Sequence, residues 1–185
     1  MVAAPPTQTL QDFAEELDKR ITTELTKRGV KVYNVLTRIV DVDSSVVHYV
    51  TEVVAIVKEV MSVYYDALYD SCQEAIGLSE DPDGIDEEGV EKLVEECVGN
   101  ELAELDYEYG RPPFRFQYKD DLFSARLDTV VDDSAVRRTY YDVLILRYEN
   151  QCSSEYVGCG IDYVARLIVD KVVQLLNALK ALMDT

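Results

Sequence analysis

Apolar residues along this chain recur with two different periods, and the longer stretches favour helices. Leu10, Phe13, Leu17, Ile21 and Leu25 stand three or four residues apart, the spacing of one helical face. They predict a helix from about Thr9 to Arg28, with Gly29 at its C-terminal cap. From Val30 to Val42 the pattern of Val32, Val35, Leu36, Ile39 and Val40 suits a short helix, while its β-branched content suits a strand. The longest signal begins at Asp43, Ser44 and Ser45, which offer N-caps, and closes at Gly77. Val46, Val50, Val53, Val57, Val60, Tyr64 and Ala67 form one stripe, and Val47, Val54, Met61 and Leu68 a second. Read as one helix over about 44–77, this stretch would be about 48 Å long and apolar over too wide an arc for one neighbour. Valine is a mediocre helix former, so packing would have to stabilise it.

A turn at 78–85 leads into an expected acidic helix, about Asp86 to Leu105, with Val90, Leu93, Val94, Cys97, Leu102 and Leu105 on its apolar side. Gly99 and Asn100 mark a possible kink or end, and the Gly-Arg-Pro-Pro content of 107–113 reads as a linker. Phe114, Phe116 and Tyr118 then alternate with Arg115, Gln117 and Lys119, the period of a half-buried strand. Phe123 to Val131 alternates again. Residues 136–148 suit strand and helix alike; the tyrosine-, valine- and isoleucine-rich run tips the reading to a small antiparallel sheet. Ile161 to about Met183 is amphipathic and predicts a last helix. The architecture expected is mainly α: a helical bundle around the long central helix at about 44–77, with a sheet or hairpin insertion at about 114–148. We expect one domain over 1–185, including a frayed tail at 1–8.

Charge changes this picture more than composition does. The chain carries 36 acidic and 18 basic residues, a net −18. Thirteen of the acids and only Lys92 among the bases fall in 79–109, so that segment alone nets −12. An acidic chain is a poor ligand for nucleic acid or anionic lipid; it suits a basic protein surface or another copy of itself. Between Arg111 and Arg147 lie seven bases and six acids, a local balance of +1. Arg115 and Lys119 on one exposed sheet face would be a natural receiver for the acidic helix. The start of the chain has neither a basic nor an apolar leader segment, and no apolar run approaches the ~20 residues of a membrane span. An intracellular protein without signal peptide or transmembrane segment is expected, and a virion component is the alternative.

Specific chemistry is sparse. No Gly-rich phosphate loop, G-x-S-x-G or H-E-x-x-H string is present. His48 has no partner in sequence that would make it catalytic, so a structural histidine is expected. Cys72, Cys97, Cys152 and Cys159 include no C-x-x-C pair, which argues against a structural zinc site. Cys152 and Cys159 lie close enough in one loop to bridge. A Cys72–Cys97 bridge is disfavoured: helix ends at Gly77 and Asp86 would put the two at different heights, about 7 and 16 Å from the turn. Buried free thiols are expected for both.

The turn Ser79-Glu-Asp81-Pro-Asp83-Gly84-Ile85-Asp86 resembles a calcium-binding EF-hand loop over about twelve residues. Ser79, Asp81, Asp83 and Gly84 match positions one, three, five and six of that loop. Ile85 then arrives one place early, and Val90 stands where a bidentate glutamate is needed. Asp81, Asp83 and Asp86 are therefore the calcium candidates the resemblance offers, against the plainer reading of an acidic turn favouring a helix N-terminus. No cofactor or structural metal is expected.

Thirteen tyrosines against four phenylalanines and no tryptophan are unusual. Tyrosine joins apolar area to a polar tip and suits half-exposed contact surfaces as well as the wet edge of a core. The function expected is a non-catalytic interaction or assembly subunit that self-associates or docks a protein partner. Its contacts would be Glu87, Glu88, Glu91 and Glu95, the bases Arg115 and Lys119, and the tyrosines Tyr64, Tyr65 and Tyr69. The alternatives are an acidic nucleic-acid mimic inhibiting a basic protein, with carboxylates about 6 Å apart along the helix, and an enzyme with an unrecognised carboxylate site.

Overall fold

The computed structural model describes residues 6–43, 45–79, 87–153 and 160–184. It is an α+β protein, not a mainly α bundle. The elements run α1 (Pro6–Lys27), β1 (Lys31–Asp43), β2 (Val46–Tyr64), α2 (Tyr65–Ser79), α3 (Glu87–Tyr109), β3 (Gln117–Lys119), β4 (Phe123–Asp133), β5 (Arg137–Ser153) and α4 (Ile161–Met183). The five strands form one sheet in the order β1-β2-β5-β4-β3.

The expected central helix is the main correction. Residues 46–64 are a 19-residue strand, and only from Tyr65 does the chain turn helical. Eight valines between 46 and 63 decide it: their χ1 is restricted in a helix and well suited to a pleated surface. The helical stripes arose because both faces of β2 carry apolar residues, which erases the strand's period-two signature. Tyr49, Val53, Ala55 and Val57 face the main core, while Val50 and Val54 alternate with them and are buried too. The ambiguous 30–42 stretch is strand β1, and 136–148 lies within strand β5. Gly99 and Asn100 do not end α3, which continues to Tyr109.

Contacts divide the chain into two compact units, and the boundaries fall inside β2, β4 and β5. Unit 1 comprises 1–57, 114–128 and 143–185. Its core is built between one sheet face and the helices α1 and α4, which pack on each other, with α1 also against β1. Phe13, Leu17, Ile21 and Leu25 of α1 meet Tyr49 and Val53, Leu144 and Leu146, and the α4 row Ile168, Val172, Leu175 and Leu179. Gly29, at φ 78°, ends α1 in the left-handed conformation that glycine tolerates best.

The edge strand β1 is guarded. Bulges interrupt its pairing with β2 between Val32 and Asn34 and between Ile39 and Asp41, a device that discourages further strands from adding. At its centre the Thr37 N–H is bonded not to a strand but to Asp18 Oδ2 of α1 at 3.1 Å. Thr37 Oγ1 donates to Asp18 Oδ1 at 2.5 Å and so accepts from Thr51 Oγ1 at 2.8 Å. Burial pushes the Asp18 carboxyl above its ordinary range, opposed by the two bonds from Thr37.

Unit 2 comprises 58–113 and 129–142. Here α2 packs on α3 over a small core of Leu68, Cys72, Val94 and Val98. Cys72 and Cys97 are joined in a disulfide, with Cα atoms 5.9 Å apart, which overturns the free-thiol expectation. The helix ends differ from those expected. With α2 reaching Ser79 and α3 starting at Glu87, the two cysteines lie about 10 and 15 Å from their helix ends, not 7 and 16 Å. Cys152 is disulfide-bonded as well, so no described cysteine is free; Cys159 lies outside the described residues.

Candidate functional site

In unit 2, a groove of about 500 Å³ opens between α2 and α3, lined by Tyr69, Gln73, Glu87, Val90, Glu91, Val94 and Glu95. Helical spacing produces it: Glu87, Glu91 and Glu95 are successive i, i+4 positions of α3, and Val90 and Val94 run beside them one residue back. Val94 is buried and Val90 half-buried, while the three glutamates are exposed. The groove thus has an apolar floor, an acidic rim and the half-apolar ring of Tyr69 in its wall. Lys92, the one base of α3, is not among its lining residues.

The predicted contact residues separate into three places. Glu87, Glu91, Glu95 and Tyr69 converge in this groove, whereas Glu88 is exposed on α3 outside its lining. Tyr64 and Tyr65 address the β4–β5 turn instead: the Arg137 guanidinium sits 6.0 Å from the Tyr64 ring centre, and the Tyr65 hydroxyl donates to Asp133. Arg115 and Lys119 belong to unit 1, where both are exposed while Phe114, Phe116 and Tyr118 pack toward the core. The predicted alternation at 114–119 is therefore present in burial, although only Gln117–Lys119 form a strand.

Sequence reading missed a polar cluster that fastens α3 within unit 2. Arg138 Nη1 contacts both carboxylate oxygens of Asp106 at 3.2 Å, and Nη2 reaches Asp133 at 3.3 Å. Tyr140, fully buried, donates to Asp106 Oδ1 at 2.5 Å, and its ring lies 5.9 Å from that of Tyr109. Burial, helped by the Asp106 bond, pushes the Tyr140 hydroxyl up to about 12. Burial and the Asp133 bond raise Tyr65 in the same direction, and the Tyr65 and Arg138 bonds lower Asp133. All three shifts move away from neutrality, which suits fixed hydrogen bonds and works against proton transfer near pH 7. The signal was weak in sequence because Asp106 and Arg138 lie 32 residues apart.

His48 lies on β2 rather than near a helix start, and its Nε2 is 2.8 Å from Glu149 Oε1. The calcium candidates Asp81, Asp83 and Asp86 lie outside the described residues. Among the described residues no group of acidic, histidine or cysteine side chains is arranged to hold a metal, and no helix is long and apolar enough to cross a membrane.

A second concavity, of about 350 Å³, lies in unit 1 on the sheet face opposite α1 and α4. Lys119 of β3, Arg126 of β4 and Arg147 of β5 line it, with Glu52 of β2 the one acid. Strand pairing builds this row, setting Gln117 beside Arg126 and Lys119 beside Ser124. No protein-family model matches the chain, and no curated protein or solved structure matches it either.

Proposed function

We propose that the protein is a non-catalytic interaction or assembly subunit, and that the groove between α2 and α3 receives a basic, apolar-anchored segment of a protein partner. The observation that carries this reading is the pairing of an acidic rim, Glu87, Glu91 and Glu95, with an apolar floor, Val90 and Val94. Charge steers a basic partner to the site and desolvated apolar contacts hold it, the usual division of labour at protein interfaces. A nucleic-acid mimic would need only the ladder of carboxylates and would leave the floor and Tyr69 unused. An enzyme would need convergent, enclosed acids, whereas these glutamates are exposed.

Neither nucleic acid nor membrane is a partner in this reading, and self-association makes the protein a homo-oligomer. Disulfide-bonded cysteines belong to oxidising surroundings. They favour a virion or cell-exterior setting over a reducing cytosol.

The test is calorimetric titration with a helical peptide carrying leucines on one face and lysines on the other. Saturable binding is expected, weakened by about tenfold or more between 50 and 500 mM NaCl as screening shortens the range of the charges. The Glu91→Lys/Glu95→Lys variant should lose it. No binding, or binding that ignores these substitutions, would remove the groove from consideration. A peptide of lysines without leucines that binds equally well would favour mimicry instead.

A further inference from the structure

We infer that the acidic rim of α3 also contacts a second copy of this chain, seated on that copy's basic sheet face. The inference rests on the reading of α3 as a contact surface and names what it meets. Charge is segregated between the two units. Unit 2 holds 20 acidic and five basic residues, a net −15, and unit 1 holds 16 and 13, a net −3. Within unit 1 the outer sheet face gathers Lys119, Arg126 and Arg147 around one concavity in which Glu52 is the single acid.

These bases are available. The Arg126 and Arg147 side chains are 55% and 50% exposed, and their neighbours Asp128 and Glu149 hold them only at 3.4 and 3.9 Å. Among the described residues Lys119 has no ion pair. Exposed, loosely held pairs of this kind are worth little and exchange readily for a better partner. Arginine in particular favours bidentate contact with a carboxylate.

The spacings are compatible. Glu87, Glu91 and Glu95 repeat about every 6 Å along α3, while Lys119, opposite Ser124, and Arg126, opposite Gln117, are diagonal neighbours on adjacent strands, about 7–8 Å apart. Long side chains on both partners absorb the difference of roughly 2 Å. A helix laid across β3, β4 and β5 therefore offers successive carboxylates to successive bases. The two surfaces are different patches of one molecule, so the contact is head-to-tail, and repetition gives a ring or an open filament.

Light scattering coupled to size exclusion tests this on the full chain. The unaltered protein should form multimers at about 25 mM NaCl that dissociate by about 500 mM, where screening cuts the interaction range several-fold. Lys119→Glu/Arg126→Glu/Arg147→Glu and Glu87→Lys/Glu91→Lys/Glu95→Lys should each run as monomers, since each then presents two surfaces of one sign. Their equimolar mixture should reassemble, which also shows that both variants are folded. A sheet-face variant that assembles like the unaltered protein overturns this inference while leaving α3 as a contact surface. An α3 variant that does so overturns both. An unaltered protein that stays monomeric at low salt overturns the self-contact, and the peptide titration then decides the groove alone. A mixture that does not reassemble likewise overturns it.

Discussion

Units 1 and 2 share the strands β2, β4 and β5, yet they are held together by different means. The core of unit 1 contains 21 buried residues drawn from two helices and three strands, whereas the α2–α3 core of unit 2 has four. A core that small contributes little hydrophobic stabilisation. Unit 2 must also hold a net −15, whose self-repulsion opposes compaction. Covalent and polar fastenings compensate: the Cys72–Cys97 disulfide between the helices, and the Arg138–Asp106–Tyr140 cluster at the end of α3. Burial organises one unit, and cross-links organise the other. The contrast also explains why the acidic groove sits where it does. A helix with only Val94 and Val98 buried leaves most of its circumference free to carry charge.

Substitutions at the two kinds of fastening should separate the units. Leu144→Ala, at a fully buried position of the unit 1 core, should cost about 2–5 kcal/mol and lower the main thermal transition. If that transition does not move, the helix–sheet core is not the principal source of stability. Cys72→Ser/Cys97→Ser should destabilise unit 2 by about 3–4 kcal/mol, given a sequence separation of 25. Amide exchange should then rise sharply through 65–79 and 87–109 while α1 and α4 keep their protection. Equal loss of protection in α1 would show the units to be one cooperative block.

The Asp18–Thr37 contact gives a smaller and more local test. Asp18→Ala leaves the Thr37 N–H without its acceptor at the centre of an edge strand and should cost about 1–3 kcal/mol, with a greater tendency to aggregate. Asp18→Asn retains an oxygen acceptor and removes the titration. Because burial raises the native pKa of Asp18, the folded state binds the proton more tightly than the unfolded chain does. Its contribution is therefore most favourable at acid pH and declines as pH rises through the native pKa. Thermal melts between pH 3 and 7 should show that decline in the unaltered protein and its disappearance in Asp18→Asn. Identical pH profiles would show that the carboxyl titrates alike in both states.

Where one face of an element was apolar and the other polar, the sequence was sufficient. α1 and α4 are legible because Leu10 to Leu25 and Val164 to Leu179 recur with a helical period against a charged opposite face. The 114–119 alternation is legible for the same reason. β2 was not, since apolar residues on both faces remove the alternation that separates strand from helix, and β-branching was the signal that should have carried more weight. The acidic ladder of Glu87, Glu91 and Glu95 and the basic content of 111–147 could be read as composition at fixed spacing.

Tertiary structure alone decided which of those charges share a surface. Tyr69 joins the glutamates because α2 packs on α3, and Arg126 and Arg147 join Lys119 because β5, β4 and β3 are neighbours in the sheet. It also decided that Cys72 meets Cys97 and that Asp106 meets Arg138. Those contacts depend on helix ends and strand neighbours, which are set by packing across the whole chain, and local sequence pattern carries no record of that packing.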